Sequence, residues 1–268
     1  MHRRVAQQHN AWTFFPAAPW RSRGDAYSYA LGMPPIHPAL SMQQSFALIA
    51  EAQSVQNLMR DAVTAIGGLR EPTIHHDAIF TLGSIGVEKL AKIMLGSAAV
   101  EAEGAWPSKD TMKAWGHDIE GLVEKLFTTA EANQPSAVAT GYVAGLIARI
   151  RESAMLPLLF ATLSRYGRSG RFHYLDVLAT DTRGEFDPPA DYWQTLEREA
   201  VDSLGGYPGG MPEEFEQFLL RVSATIADEL NVWWFVMHRL GVQGCFGELG
   251  KSLGWQIWEY GRPDPLRR

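Results

Sequence analysis

Two apolar stretches decide the fold of this chain, and they read DAIFTLGSIGVEKLAKIML (residues 77–95) and GHDIEGLVEKLFTTA (residues 116–130). In the second stretch the apolar residues recur at the three- and four-residue spacing of one helix face, and they are Ile119, Leu122, Val123, Leu126, Phe127 and Ala130. We therefore predict two helices that pack together. Leu90 and Ile93 of the first should lie buried between helices, as should Leu122 and Leu126 of the second.

The first stretch combines apolar and polar residues on what we predict to be opposite faces of a helix. The apolar set is Leu82, Ile85, Leu90, Ile93 and Met94, and the polar set is Thr81, Ser84, Glu88 and Lys92. Gly83 and Gly86 each cost about 1 kcal/mol relative to alanine in a helix interior. Their presence predicts a flank that another backbone approaches closely. At the start of the second helix, we expect His117 or Asp118 to cap the first amides.

Further apolar periodicities predict helices over the rest of the chain, at residues 40–66, from 135 onward with a restart at Pro157, and at 190–204, 212–240 and 246–260. Gly67-Gly68 and the run at 205–210 are the predicted breaks. No strand pattern or internal repeat is visible, so the fold class is all-α. Residues 1–38 are rich in aromatic residues and proline, and we interpret them as an extended N-terminal arm; a disordered leader is the alternative.

Composition limits the classes of function. The net charge of -6 gives no global attraction to nucleic acid or to anionic membranes, so a polyanion site has to be a local basic patch. Cys245 is the single cysteine, which excludes a disulfide framework and favours a reducing, cytoplasmic location. No apolar run reaches the roughly 18 residues of a spanning helix, and no apolar run follows the first four residues, so we predict neither a membrane partner nor a secretory signal.

One local basic patch stands out, and it reads RYGRSGRFHYLD at residues 165–176. Three arginines, a histidine and two tyrosines occur together at a predicted helix end, and such a composition is typical of a phosphate-contacting surface. The other interpretation is a solvated turn whose arginines pair with the carboxylates of an acidic chain. We also considered a metal site at His75-His76-Asp77. Neighbouring residues point apart on a helix and no further ligand spacing supports it, so helix capping is expected there and no metal or cofactor is predicted.

The residues GVEKLAKIML (86–95), followed by GHDIE (116–120) and an apolar helix, resemble the HEPN (higher eukaryotes and prokaryotes nucleotide-binding) superfamily. The resemblance covers residues 77–130. It implies an up-and-down helical bundle, which we place at residues 39–180, with residues 181–268 forming additional C-terminal helices packed on the bundle. His117 is similar to the histidine that begins a helix in that family, although a helix cap is the other reading of this residue.

Ribonuclease members of that superfamily carry an arginine, four to six intervening residues and a histidine, and Arg168 and His173 match the four-residue spacing. The resemblance implies a metal-independent endoribonuclease of a bacterial conflict or stress system. Arg168 would hold the scissile phosphate and His173 would move the proton of a ribose 2′-hydroxyl. The neighbouring side chains expected to contact RNA are Arg165, Tyr166, Arg171 and Tyr174.

The alternative is a non-catalytic helical module that binds a partner protein or a nucleotide through its aromatic C-terminal helices, as other members of that superfamily do. Tryptophan and phenylalanine are frequent between residues 215 and 258. This surplus, together with the dimers common in that superfamily, predicts a homodimer. A metal-dependent hydrolase that uses His75, His76 and Asp77 is the third reading.

Overall fold

The computed structural model describes residues 35–70, 76–182, 184, 186–207, 209 and 212–267, and within them the chain forms ten α-helices and no strand, which confirms the all-α prediction. The N-terminal arm predicted for residues 1–38 lies outside the described residues up to residue 34. The helices are α1 Met42–Gly67, α2 His76–Glu103, α3 Lys109–Ala114, α4 Ile119–Asn133, α5 Thr140–Arg151, α6 Met155–Arg168, α7 His173–Thr180, α8 Pro189–Ser203, α9 Pro212–Val242 and α10 Gly247–Gln256. Short 3-10 turns lie at Gln134–Ser136, Gly170–Phe172 and Pro265–Arg267.

Local sequence explains where helices begin and end. The Ser41 side chain accepts a hydrogen bond from the Gln44 amide, and the Gln44 side chain accepts one from the Ser41 amide, which forms a capping box at the start of α1. The helix ends at Gly67, and Gly68 is its C-terminal cap, at the break that the sequence predicts. The α4 cap is Asp118, whose Oδ1 accepts a hydrogen bond from the Gly121 amide.

Helix α2 lies at the centre of one half of the molecule, where it packs against α1, α4, α6 and α10. A Cβ atom at Gly86 would lie 3.5 Å from the Met59 amide nitrogen of α1, which confirms the close backbone approach predicted there. At Gly83 the close neighbour is instead a side chain, that of Leu163. The predicted division into an apolar and a polar face was wrong in part: Ile85 is 40% exposed, whereas Ser84 is buried. Since four helices cover α2, its buried surface is wider than one stripe.

Helix α9 is 31 residues long and passes through the middle of the other half, where it packs against α1, α5, α8 and α10. All residues from 230 to 238 on it are buried. The apolar core is one continuous cluster with members on eight of the ten helices, all except α3 and α7, so the described residues on either side of position 180 share a core. No helix in the described part of the chain has an apolar stretch of the length and hydropathy that crossing a bilayer would need.

The predicted contact between α2 and α4 is confirmed, because Leu90, Ile93, Leu122 and Leu126 are all at most 4% exposed. We expect Leu126→Ala to lower the free energy of unfolding by about 2–5 kcal/mol, since it opens a cavity in a packed region. Val138→Ala is the control, because Val138 is 75% exposed. Chemical denaturation of both variants measures the effect. A loss at position 126 no larger than at position 138 would contradict this assignment of the core.

Helix α8 contains a partly buried acid. Trp193 is fully buried against Phe80 of α2, and its Nε1 donates a hydrogen bond of 2.7 Å to Glu197 Oε1. Burial raises the pKa of Glu197 from its ordinary value of 4.5 to about 7, although the hydrogen bond from Trp193 opposes the shift. The folded state therefore holds a proton at this carboxyl group that the unfolded chain releases near pH 4.5.

Because the folded-state pKa of Glu197 is raised, its contribution to stability is present below about pH 4.5 and is lost as the pH rises to about 7. We expect Glu197→Gln to keep an acceptor for Trp193 and to raise the free energy of unfolding at neutral pH by about 1–2 kcal/mol. At pH 4.5 the same variant should differ little from the parent. Denaturation across this pH range, with the exposed Glu216→Gln as control, checks it; an equal effect of Glu197→Gln at both pH values would contradict the buried-acid interpretation.

Candidate active site

Polar residues of α2 lie against the turn that leads into α4. Gly116 has a φ of +59°, a left-handed conformation that glycine adopts without strain and that reverses the chain after α3. The Gly116 carbonyl oxygen accepts a hydrogen bond of 2.7 Å from Lys92 Nζ of α2. This bond fixes the turn against the middle of α2, so that the next residues, His117 and Asp118, lie over that helix.

His117 forms a pair with Glu88. Its Nδ1 lies 3.1 Å and 3.0 Å from the two carboxylate oxygens of Glu88, and Lys92 Nζ lies 2.7 Å from Oε1 of the same carboxylate. An ionised carboxylate only accepts hydrogen bonds, so Nδ1 carries a proton, and in the neutral form of the imidazole Nε2 presents a lone pair. The Glu88 and Lys92 side chains are 17% and 16% exposed, whereas the His117 side chain is 62% exposed. The geometry is thus an oriented imidazole with a solvent-accessible nitrogen.

Asp118 links the same turn to helix α6. Its Oδ1 caps α4 and also accepts a hydrogen bond of 3.3 Å from Ser164 Oγ, and its Oδ2 lies 3.4 Å from Arg168 Nη2. The Arg168 side chain is 59% exposed and the Asp118 side chain 43% exposed. An exposed ion pair of this length contributes little free energy. The guanidinium of Arg168 is therefore held near the turn but is free to exchange Asp118 for an anion.

These contacts bring His117 and Arg168 to the same place in the fold. They are 51 positions apart in the sequence, but His117 adjoins Asp118, which pairs with Arg168. Helix α6 also passes close to the turn, since a Cβ atom at Gly167 would lie 3.6 Å from the His117 carbonyl oxygen. An oriented imidazole beside an exposed guanidinium can move a proton and stabilise negative charge on one phosphate. We call the residues Glu88, Lys92, His117, Asp118, Ser164 and Arg168 the α4 cluster.

The structure places Arg168 and His173 on different helices. Helix α6 ends at Arg168, and Gly170 opens a 3-10 turn before α7 begins at His173. A Cβ atom at Gly170 would lie 2.4 Å from Pro189 Cγ and 2.7 Å from the Arg165 carbonyl oxygen, so only glycine fits this crowded turn. His173 is 8% exposed, and its ring meets Tyr174 edge to face at 5.1 Å. The imidazole of His173 is therefore largely closed to solvent.

The four residues predicted to contact RNA fall into two groups. Arg165 is engaged in contacts within the chain, because its Nε donates to the Asp187 carbonyl oxygen at 2.8 Å and its guanidinium covers the Phe186 ring. Tyr166 is also engaged, because its hydroxyl hydrogen-bonds Thr81 at 2.7 Å. Arg171 and Tyr174, in contrast, are exposed.

The described histidines outside the α4 cluster show no metal site. Within the described residues, no group of three or more His, Cys, Asp or Glu side chains is arranged so that it could hold a metal ion. His76 begins α2 and stacks on Phe80 at 5.3 Å, whereas its neighbour at position 75 lies outside the described residues. His238 of α9 has its Nδ1 2.7 Å from the Gly254 carbonyl oxygen of α10.

Comparisons with protein-family models, with curated proteins and with solved structures find no match to this chain. The resemblance of residues 77–130 to the HEPN superfamily therefore stays a prediction from short motifs. What the chain does has to be argued from its own side chains, and the α4 cluster is where these motifs converge.

Sequence reasoning named most members of the α4 cluster but did not join them. It assigned Glu88 and Lys92 to a polar helix face and named His117 or Asp118 as the cap of α4; the cap is Asp118, and His117 pairs with Glu88. A signal was present, because Glu88 and Lys92 are charged residues four positions apart on a helix that is otherwise strongly apolar. Charged side chains in such a helix require partners from elsewhere in the fold.

Proposed function

We propose that this protein is a metal-independent endoribonuclease whose active site is the α4 cluster, with Arg168 on the scissile phosphate. The observation that carries the proposal is the solvent-accessible His117 imidazole, oriented by Glu88 and adjacent to the Asp118–Arg168 pair. Imidazole titrates near neutral pH and guanidinium matches the geometry of a phosphate, so the two groups suit the cleavage of RNA.

Two histidines compete for the acid–base role. His173 has the sequence spacing, but its ring is 8% exposed and lies against Gly184, where a Cβ atom would be 3.3 Å from Cε1. His117 does not follow an arginine by the four to six intervening residues of the ribonuclease pattern, but its ring is accessible and the Glu88 carboxylate orients it. A proton acceptor has to reach the substrate hydroxyl within hydrogen-bonding distance. The geometry therefore favours His117, and His173 remains the assignment that rests on spacing.

The proposed reaction needs no external nucleophile, because RNA supplies its own. His117 Nε2 takes the proton of the ribose 2′-hydroxyl while the 2′ oxygen forms a bond to the adjacent phosphorus. The bond from phosphorus to the 5′ oxygen breaks, and that oxygen takes a proton from solvent. Arg168 exchanges Asp118 for the phosphate and stabilises the charge that develops on its oxygens. The products are a 2′,3′-cyclic phosphate and a 5′-hydroxyl.

The exposed groups near the α4 cluster support an anionic substrate. Arg171 is exposed and its guanidinium lies over the Phe172 ring at 5.1 Å, so a cation and an aromatic surface stand together. Tyr174 is 67% exposed and offers a ring on which a base can stack. We propose Arg171 and Tyr174 as the RNA contacts beside Arg168. Arg165 and Tyr166, which the fold uses, would hold the turn in position.

Single-site variants test the proposal. In a cleavage assay with labelled single-stranded RNA and a chelator present, we expect the parent to cut, and His117→Ala to lose about 10²-fold or more of the rate while RNA binding survives. Arg168→Ala should weaken both cleavage and binding, and Arg168→Lys should restore cleavage in part, because it keeps the charge without the planar geometry. Arg198→Ala on α8 is the matched control and should cut normally.

The same assay separates the two histidines. His173→Asn, checked for folding by circular dichroism and thermal unfolding, should retain cleavage. If it abolishes cleavage in a folded protein while His117→Ala does not, the assignment by spacing is right and His117 is not the acid–base group. If the parent cuts no RNA, or if neither histidine variant changes the rate, the nuclease proposal is wrong.

A non-catalytic binding module is the second candidate function, and an exposed apolar surface favours it. The side chains at the start of α7 and along it are strongly exposed; they are Phe172 at 51%, Tyr174 at 67%, Leu175 at 61% and Leu178 at 80%. We call these four residues the α7 face. Contiguous apolar surface of this kind is typical of contacts between proteins. The tryptophan and phenylalanine residues between 215 and 258, from which the homodimer was predicted, are mostly buried within the chain, with Phe215 and Trp255 as the exposed exceptions. We therefore place the predicted homodimer contact on the α7 face.

We expect two copies of the chain to associate through the α7 face. Leu178→Asp should shift the protein from dimer to monomer in sedimentation velocity, because a carboxylate would be buried without a partner. The control is Val138→Asp, since Val138 is 75% exposed but lies outside the α7 face. A parent that sediments as a monomer at every accessible concentration would show that the homodimer prediction is wrong and would leave this face to a different protein.

A further inference from the structure

A second candidate site lies in the half of the molecule that the α4 cluster does not use. A cavity of about 710 Å³ opens between α5, the end of α9 and the residues that follow α10. Its size falls in the range of cavities that hold small-molecule ligands. The side chains discussed below all line it, and none of them belongs to the α4 cluster, so the inference is independent of the proposed nuclease.

The cavity contains a buried polar atom without a partner. Gln243 is 9% exposed and lines the cavity, and its Oε1 has no hydrogen-bond partner among the described residues. Leaving a buried carbonyl oxygen without a hydrogen bond destabilises the folded state, so native structures rarely keep one without a purpose. A ligand that donates a hydrogen bond to Gln243 Oε1 would remove this cost.

A neighbouring histidine presents a second acceptor. His238 is 4% exposed, and burial lowers its pKa, so the imidazole is neutral at pH 7. Since a carbonyl oxygen only accepts, Nδ1 donates its proton to the Gly254 carbonyl oxygen at 2.7 Å. Nε2 is then an acceptor. A ligand that pairs with Gln243 Oε1 and His238 Nε2 therefore needs N–H or O–H groups to donate to these two acceptors.

The charge of the cavity is positive, in contrast to the chain as a whole. Arg239, Arg262 and Arg267 line it, opposed by the carboxylate of Asp264, which pairs with Arg267 at 3.3 Å. Arg262 hydrogen-bonds Asn231 at 2.8 Å and stacks on Trp258. Among the described residues, the hydrogen-bonding partner of the Arg239 guanidinium is the Tyr142 hydroxyl, at 3.2 Å from Nε. The terminal nitrogens of Arg239 are therefore available to an anion.

Aromatic rings supply the remaining wall. The guanidinium of Arg239 lies 5.4 Å from the Tyr142 ring centre, and the rings of Phe235 and Trp258 meet edge to face at 5.3 Å on the cavity wall. Tyr142 is 40% exposed and offers a face to which a flat ligand can stack. The wall thus combines flat apolar surface, two acceptors and an excess of guanidinium groups.

We propose that this cavity binds a small organic anion built on an amino-substituted aromatic ring, with the ring against Tyr142, an N–H group on Gln243 Oε1 and the anionic group on Arg239. A phosphate and a carboxylate meet the same requirement on Arg239. Adenosine 5′-monophosphate and 4-aminobenzoate are the two probes that distinguish them.

Isothermal titration calorimetry with these two probes tests the proposal. At least one should bind saturably to the full chain, while adenosine, which lacks the charge, and inorganic phosphate, which lacks the ring, should bind at least about tenfold more weakly. Arg239→Gln should weaken the bound probe by at least about tenfold, because a charged hydrogen bond is lost. Arg221→Gln, an arginine of the same helix outside the cavity, should leave affinity unchanged.

The Gln243→Met variant tests whether Gln243 Oε1 binds a ligand or is only an unfavourable feature of the packing. Methionine fills a similar volume without the unsatisfied oxygen, so the free protein should unfold at a higher temperature while the affinity for the probe falls several-fold. Failure of both probes to bind, affinity that is equal in the parent and in the Arg239→Gln and Gln243→Met variants, or equally tight binding of adenosine or phosphate would each overturn the proposal.

Discussion

An ion pair between Glu88 and Lys92 on helix α2 constrains the arrangement of the α4 cluster. Both side chains are less than one-fifth exposed, on a helix that four others cover. Charges in such surroundings are stable only when their hydrogen bonds are satisfied, and loss of one partner is costly. Lys92 obtains its second acceptor from the Gly116 carbonyl oxygen, and Glu88 obtains a second donor from His117. The position of the turn before α4 follows from these bonds.

The arginines of this acidic chain serve different purposes, although composition makes them look alike. Arg165 and Arg262 are held by several contacts within the fold. Arg168 and Arg239 each keep a weaker partner and lie where an anion can reach them. An arginine that is already satisfied has little free energy to gain from a ligand, so the weakly paired ones mark the candidate sites. Arg168 belongs to the α4 cluster and Arg239 lines the cavity, and these two candidate sites share no residue.

The aromatic residues of the C-terminal helices are numerous in the sequence, but most of them are buried, so their number does not by itself indicate a surface for a partner. Trp233, Trp234 and Phe246 are fully buried, because α9 passes between other helices rather than along the surface. The exposed apolar residues are concentrated instead on the short helix α7, beside the arginine-rich turn. A surface for a second protein and the proposed RNA contacts therefore share Tyr174, and Arg171 precedes that surface in the sequence.

The sequence alone determined the fold class and most helices, since helical periodicity and glycine breaks are local signals that act within a few residues. It located the packing of α2 against α4 and the approach of α1 to Gly86, because a buried apolar stripe and a glycine inside a helix both indicate a neighbouring helix. It did not determine which faces of α2 are covered, as Ile85 and Ser84 show, because four helices pack there. Only the tertiary structure decided that Arg168 stands beside His117, and that Gln243 and Arg239 share a cavity with residues from α5 and the chain end. Side chains far apart in sequence come together only when whole helices pack. The number of residues between two side chains therefore does not predict the distance between them in the fold.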